Sequence, residues 1–343
     1  MNVYAITIKP LSAFGTPIKG DTLFGHFCWQ AVHDDSLLKG GFEKWISRYE
    51  ESPFAIFSSA FPAVKDQDGK DMVCFPSPSI PHKWPDDMPR DERIRQRKQI
   101  KKKKWILVPA DELGNGVDAG KMCDDAEVFN MHLQSLPDEL RRKLQFLPDN
   151  LKKPLAYFVQ AHNSINRLTM TTGKGFDPYS MENCHFMPMA RLVIFAAIEP
   201  DALDEDDLEK GMSNIGLTGF GRDASTGLGR FEVTNIKRVE WLGPDNGDGC
   251  YTLAPCVPAE GEFDEQFAVP FTRFGRHGAE LVLSRNPFKN PVVMADEGAV
   301  FFPSPKRTAK IYVGTALTGL SLVEEKTVAQ GYTLYLPISR RNL

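Results

Sequence analysis

The chain lacks most of the short signatures that announce catalysis or secretion. Its six cysteines, Cys28, Cys74, Cys123, Cys184, Cys250 and Cys256, form no Cys-x-x-Cys pair, and none has a histidine at zinc-ligand spacing. That excludes the common zinc and dithiol motifs and predicts reduced thiols in a cytosolic protein. No His-Glu-x-x-His, EF-hand loop or Ser-His-Asp order is present, so no metal and no cofactor are expected. The opening residues Met1–Ile6 carry no basic region and no long apolar run, so no signal peptide is expected. The longest apolar run, Leu192–Ile198, is far too short to span a bilayer. Excess positive charge is missing as well. The formal net charge is −4, which argues against a free-standing, non-specific nucleic-acid binder.

What charge there is lies segregated. Residues 90–104 hold nine basic and two acidic side chains, and residues 201–209 hold six acidic ones and no basic one. The first stretch can meet RNA while the second faces solvent or a basic partner. At 343 residues with 42% hydrophobic content, the chain is long enough for about two domains.

Apolar periodicity predicts a strand over Val3–Ile8 and a helix carrying Leu23, Phe24, Phe27, Cys28, Ala31 and Val32, capped by Asp21 or Thr22. A short helix is expected over Phe42–Arg48. The proline-rich residues 52–89 read as an ordered crossing loop. A basic helix over Arg90–Lys103 and a strand over Trp105–Val108 follow, then helices over Ala126–Ser135 and Pro137–Phe146. Arg191–Ile198 is the clearest buried strand, Asp204–Met212 an acidic helix, and Phe231–Val239 a strand. This order can build a split β-α-β-β-α-β, or ferredoxin-like, domain with a long insertion. Beyond the Gly/Asp-rich link Gly243–Gly249, strands are expected at Tyr251–Val257, Phe267–Phe271, Pro291–Met294, Ala299–Phe302 and Gly331–Pro337, with little helix. The domains are therefore drawn as 1–242 and 250–343.

Two segments carry the chemistry. Gly219-Phe220-Gly221-Arg222-Asp223-Ala224-Ser225-Thr226-Gly227-Leu228-Gly229-Arg230-Phe231 packs four glycines, two hydroxyls and two arginines into thirteen residues. Glycine admits φ > 0 and close backbone approach, so consecutive bare N–H groups can point at phosphate oxygens. Arg222, Arg230, Ser225 and Thr226 add charge and donors. The loop does not end in Gly-Lys-Ser/Thr and leads into a strand, so it is not a nucleotide-hydrolysis loop; G-x-G-x-x-G is absent too. The bland alternative is a flexible hairpin. The second segment, His162-Asn163-Ser164-Ile165-Asn166-Arg167, gathers imidazole, amides, a hydroxyl and a guanidinium, groups that read base edges and phosphates. After it, Met170, Thr171, Lys174 and Phe176 surround a Gly173–Gly175 tip, where apolar side chains can wedge between bases; a polar turn with no ligand is the plain alternative. Lys101 and Lys103, in the run Lys101–Lys104, can contact phosphates or simply be solvated. His26, on an otherwise apolar helix, reads as structural, with acid–base chemistry the other possibility.

Three segments together, Lys19-Gly20-Asp21-Thr22-Leu23-Phe24-Gly25, Asn163–Arg167 and the Gly219–Phe231 loop, resemble the RAMP superfamily of CRISPR proteins. With Gly298–Phe301 and Gly331–Pro337 they resemble its crRNA-handle subunits in type III-A (Csm) effector complexes, over essentially the whole chain. The resemblance implies an α+β fold of two ferredoxin-like (RRM-like) domains, the second degenerate and β-rich. It implies a non-catalytic, cytoplasmic prokaryotic subunit that binds the crRNA 5′ handle. Its implied partners are a large polymerase/cyclase-like subunit, a backbone RAMP subunit and target RNA near the handle junction. Carried over by motif, Lys19, Gly20, His162, Asn163, Ser164, Asn166 and Arg167 would contact the handle. Gly219, Phe220, Gly221, Arg222, Ser225, Thr226, Gly227, Leu228, Gly229 and Arg230 would cradle its phosphates, and Met170–Phe176 would be the thumb. Two other functions stay open: an endoribonuclease of the same superfamily using His26 or His162 with Lys174, and a generic RRM-type regulator, against which the missing aromatic RNP strands argue.

Overall fold

Short strands and helices follow one another along the chain. In order they are β1 (Asn2–Pro10), α1 (Gly20–His33), α2 (Phe42–Ile46), β2 (Ala55–Phe57), β3 (Phe61–Lys65), β4 (Asp71–Pro76), α3 (Arg90–Ile100), β5 (Lys103–Pro109), β6 (Met122–Asp124), α4 (Asp125–Gln134), α5 (Asp138–Leu144), β7 (Leu155–His162) and β8 (Tyr179–Phe186). There follow β9 (Arg191–Ile198), α6 (Glu205–Thr218), β10 (Phe231–Val239), β11 (Gly249–Thr252), β12 (Phe263–Phe267), β13 (Pro270–Arg273), β14 (Val292–Ala295), β15 (Val300–Pro303), β16 (Tyr312–Gly314) and β17 (Tyr332–Ile338). The computed structural model describes all residues except 83, 84, 86, 119, 121, 174, 242–246, 305–309 and 343. Most of the expected boundary link, and Lys174, therefore lie outside the described residues. No helix among the described residues is long and apolar enough to cross a membrane.

The larger sheet runs β10-β1-β9-β3-β4-β5-β6, with β2 also paired to β9. Its pairs are antiparallel, β1 lying between β10 and β9. Helix α1 buries Leu23, Phe24, Phe27 and Ala31, while α6 buries Leu208, Met212 and Ile215. The two helices pack on each other, and α6 also packs on β10. The acidic start of α6 is a capping box: the Asp204 side chain accepts from the Asp207 N–H, and Asp207 reciprocates. The helix runs to Thr218, further than expected, because Ile215 continues the buried stripe before Gly219 ends it. A second, five-stranded sheet, β12-β15-β11-β17-β16, holds the C-terminal part. One core cluster joins the two sheets, containing Val3, Phe195 and Phe57 together with Tyr251, Leu334 and Ile338. The insertion is stitched in too, since Val117 bridges to Ile338.

Two expectations are corrected here. Residues 52–89 are not one crossing loop, because β2, β3 and β4 lie within them. Three short apolar stretches there find partners in β9 and in each other, and Pro62 is accommodated in β3 opposite Leu192. Tertiary pairing overrides a composition that reads as loop. The expected strand Phe267–Phe271 is also split, with β12 ending at Phe267 and β13 starting at Pro270. Four further segments were not foreseen as strands: β7, β8, β6 and β16. The first two form a hairpin of their own in register Leu155↔Phe186 to His162↔Tyr179.

Candidate nucleic-acid interface

The glycine loop sits between α6 and β10, and it is locked. The N–H groups of Gly219, Phe220, Gly221 and Arg222 donate to Ile215 O, Gly229 O, His26 Nε2 and Thr16 Oγ1. Those of Thr226, Gly227 and Leu228 close on Asp223 O or Ala224 O within the loop. Gly229 N–H donates to Ala13 O and Arg230 N–H to Ser12 Oγ. This corrects the picture of consecutive bare amides aimed at phosphates, because nine of the loop's donors already have protein partners. Arg222 is likewise engaged. Its Nη2 donates to Glu182 O at 2.6 Å and to Asn183 Oδ1 at 2.8 Å, tying the loop to β8. What the loop turns to solvent is Ser225, Thr226, Gly227 and Arg230. Phe220 is fully buried and Leu228 half-buried.

His26 explains part of this rigidity. Its ring lies 4.8 Å from the Phe220 ring, and its Nε2 accepts the Gly221 N–H at 3.0 Å. Burial pushes its pKa down to about 4, so the imidazole is neutral and can accept at physiological pH. The structural reading of His26 is the one this geometry supports.

The hairpin tip is the opposite case. Asn163, Ser164 and Arg167 are exposed at the end of β7, and Asn166 is half-buried. Asn166 organises the turn: its Oδ1 accepts from Leu168 N–H, its O from Met170 N–H, and its own N–H donates to Thr171 O. Met170 takes a left-handed φ of 54° and points outward with Thr171. Met170 is 76% exposed and Leu168 95%, with Ile165 beside them. Leu168 and Ile165 were not singled out from the sequence; two aliphatic residues inside a polar turn were the available signal. Phe176, by contrast, is half-buried. His162 stacks on Tyr179, its cross-strand partner, at 5.2 Å with 10° between the rings, and its Nε2 has no hydrogen-bond partner.

Lys19 and Gly20 are corrected. Lys19 is buried, with its Nζ 2.6 Å from Asp296 Oδ1 and 2.7 Å from both Glu297 carboxylate oxygens. Burial opposes its charge, yet the two carboxylates hold its pKa above the ordinary value. Gly20 lies buried beneath Phe57 and Ala254, and Asp21 accepts a two-pronged bond from Arg273. Lys19, Gly20 and Asp21 are buried in a joint between the chain's first and last thirds. The basic run is divided. Lys103 and Lys104 pair with Glu127 and Asp125 at 2.6 and 2.8 Å, while Lys101 is exposed.

No family model matches the chain, and no curated protein matches it. Solved structures do. One is a chain in the crystal structure of a Csm3–Csm4 subcomplex of the type III-A CRISPR-Cas interference complex, with TM-score 0.55 and 14% identity over 98% of this chain and 99% of that one. The fold is that of a protein found in type III-A CRISPR-Cas complexes. A second, a chain of a Csm1–Csm4 cassette in complex with pppApA, gives TM-score 0.52 and 18% identity over 98% of each chain. At such identities the likeness is one of fold, and it extends from end to end. The resemblance read from the sequence motifs holds at that level.

Proposed function

We propose that this chain is a non-catalytic, RNA-binding subunit of a type III CRISPR effector complex, holding the crRNA 5′ handle and joining a large subunit to the backbone subunits in the cytoplasm. The observation that carries the reading is the hairpin tip. It presents exposed amide, hydroxyl and guanidinium groups beside exposed Leu168 and Met170, on a fold shared end to end with type III-A chains. Polar groups of this kind hydrogen-bond base edges and phosphates, and apolar ones unstack bases. The β10-β1-β9-β3 order with α1 and α6 supports a ferredoxin-like first domain; the second is read as a degenerate copy. The locked glycine loop then serves as the rigid footing of the hairpin, offering Ser225, Thr226 and Arg230 rather than a row of amides.

Reconstitution with the neighbouring large and backbone subunits tests this. The complex should retain crRNA with an intact handle in preference to one with a scrambled handle. Equal retention of both, or assembly that is indifferent to this chain, would sink the proposal. With a net charge of −4, the lone chain should bind RNA weakly and with a steep salt dependence.

A ribonuclease reading would use His162, whose Nε2 is unpartnered beside Tyr179, with Lys174, which lies outside the described residues; His26 is committed to Gly221. Metal-free incubation with repeat RNA decides the matter, since cleavage lost in His162→Ala would favour the enzyme.

A further inference from the structure

The larger sheet carries a cavity on one face. Alternation along β1 turns Tyr4, Ile6 and Ile8 into the core and leaves Ala5 and Thr7 on the opposite face. Register then sets two rows across β10, β1 and β9: Lys237, Ala5 and Phe195 in one, Asn235, Thr7 and Val193 in the next. Further along β9, Arg191 stands opposite Ala63, and Ala63 opposite Val73. The short side chains of Ala5 and Ala63 leave about 350 Å³ open over these strands, walled by Lys70, Asp71, Asp111 and Leu113. The floor is tied to the second sheet. The Phe195 ring lies 5.3 Å from that of Trp241, whose indole N–H donates to Tyr335 O in β17. A cavity of this size, apolar below and polar at its rim, beside the joint of two sheets, has the build of a small-molecule site.

The polar rim is divided. Arg191 pairs with Asp71 at 2.7 Å and Lys70 with Asp111 at 3.2 Å. The side chains of Lys237, Asn235 and Thr7 have no partner among the described residues. Three cations against two carboxylates leave the lining with one positive charge in surplus, in a protein of net charge −4, and that surplus sits on the unpaired Lys237. An amide and a hydroxyl each offer a donor and an acceptor, which is what the edge of a nucleobase presents in return. Other occupants match less. A bare phosphate would leave the floor of Ala5, Val193 and Phe195 uncovered. A fatty-acyl group would leave Thr7 and Asn235 without bonds. An extended peptide needs a free sheet edge, and here β1, β9 and β3 each have neighbours on both sides.

We propose that this cavity binds a single nucleotide, with its base on the floor of Ala5, Val193 and Phe195 within reach of Thr7 and Asn235, and its phosphate on Lys237. The nucleotide is either free in solution or one residue of an RNA strand; the chemistry that recognises it is the same. The site is separate from the hairpin tip, and the inference does not rest on the handle reading. Its walls are set by paired strands and closed ion pairs, so little ordering is needed on association.

The test uses the full chain and titrates AMP, GMP, CMP and UMP separately by calorimetry, with ribose 5-phosphate and inorganic phosphate as the probes that lack a base. At least one mononucleotide should bind with a Kd below about 1 mM. Lys237→Gln should weaken it at least fivefold and flatten its salt dependence, with an unchanged melting temperature. Ala5→Leu fills the cavity and should weaken it at least tenfold. Should Ala5→Leu fail to fold, Thr7→Val, which keeps the shape and removes the hydroxyl, should weaken binding severalfold and alter the order of preference among the four bases. Adding crRNA then separates the two sources. Displacement of the bound mononucleotide assigns the cavity to a residue of the RNA, and indifference assigns it to a free nucleotide. Absence of binding by all four mononucleotides overturns the proposal. So does equal binding of ribose 5-phosphate or inorganic phosphate, which would make Lys237 an anion site only, and so does equal binding by wild type and every variant. A chain that binds a mononucleotide but does not discriminate handles sinks the handle reading and leaves this one standing.

Discussion

The glycine loop and the tip of the β7–β8 hairpin are both rich in glycine, hydroxyl and guanidinium groups, yet they use them in opposite directions. From Gly219 to Arg230 the loop turns its donors inward, onto Ile215, Thr16, His26, Ala13 and Ser12. The tip from Asn163 to Thr172 closes on itself mainly through Asn166 and leaves the rest facing water. A buried backbone donor without a partner costs roughly 1–3 kcal/mol, so a loop packed between α1 and α6 has to satisfy its amides internally. A tip whose residues mostly face water has no such constraint. Composition alone does not separate footing from contact surface; what surrounds each segment does.

The sharpest contrast lies within the glycine loop itself. A Cβ on Gly229 would stand 2.0 Å from the Phe220 carbonyl oxygen at φ +74°, whereas one on Gly227 would meet nothing within 4 Å at φ +95°. Gly229→Val should therefore destabilise the chain by on the order of 4 kcal/mol, with most of the protein recovered unfolded. Gly227→Ala should cost only about 1 kcal/mol, the strain of a left-handed φ. Paired thermal melts measure both, and similar melting temperatures would break the idea that the two glycines serve different purposes.

Next in size is the pH response of His26. Its folded pKa of about 4 lies below its ordinary 6.5, so the unfolded chain takes up the proton first. Its contribution is complete above about pH 6.5 and is lost as pH falls towards 4, a loss of roughly 3 kcal/mol. His26→Gln keeps an acceptor for Gly221 without the titration. The difference between wild-type and variant melting temperatures should then change with pH only between about 4 and 6.5; a difference constant over that window would contradict the assignment. Somewhat smaller is Arg222→Ala, which removes the donors to Glu182 and Asn183 and should cost about 2 kcal/mol. Hydrogen exchange should then speed up in β8 more than in β1, and uniform exchange would argue that Arg222 does not tie loop to hairpin.

Much of the fold was readable because it rests on periodicity. The α1 stripe Leu23, Phe24, Phe27 and Ala31, the buried run Leu192–Ile198 and the Asp204 cap are local patterns with local causes. Strands β2 and β3 were not, because three to five apolar residues become a strand only when β9 is there to pair with them. The candidate site divides the same way. Exposed polar groups at Asn163–Arg167 follow from composition. The burial of Lys19 against Asp296 and Glu297 does not, since its partners lie 277 and 278 residues away in the chain. Ser12 and Thr16 were missed as anchors of the glycine loop for the same reason: a hydroxyl's partner is visible only in three dimensions.

The smallest effect on stability should come from the tip, and there the comparison is most informative. Arg167 lies within the Asn166 turn but is exposed and takes no part in the bonds that close it, so Arg167→Ala should shift stability by less than about 0.5 kcal/mol. If the tip is a contact surface, the same change should weaken handle RNA more than scrambled RNA of equal length. A planar guanidinium can bond two base-edge acceptors at once, and such a pair is worth about 1–3 kcal/mol of discrimination. Neutralising Lys101 and Lys102 is the control, because a lysine contributes mainly point charge to phosphates. That variant should weaken both RNAs alike and flatten the salt dependence. Should the lysine variant lose discrimination while Arg167→Ala retains it, the reading groups would lie along the basic run instead of the tip. Should Arg167→Ala lower the melting temperature as far as Arg222→Ala does, tip and loop would both be footing, and the contrast between them would fail.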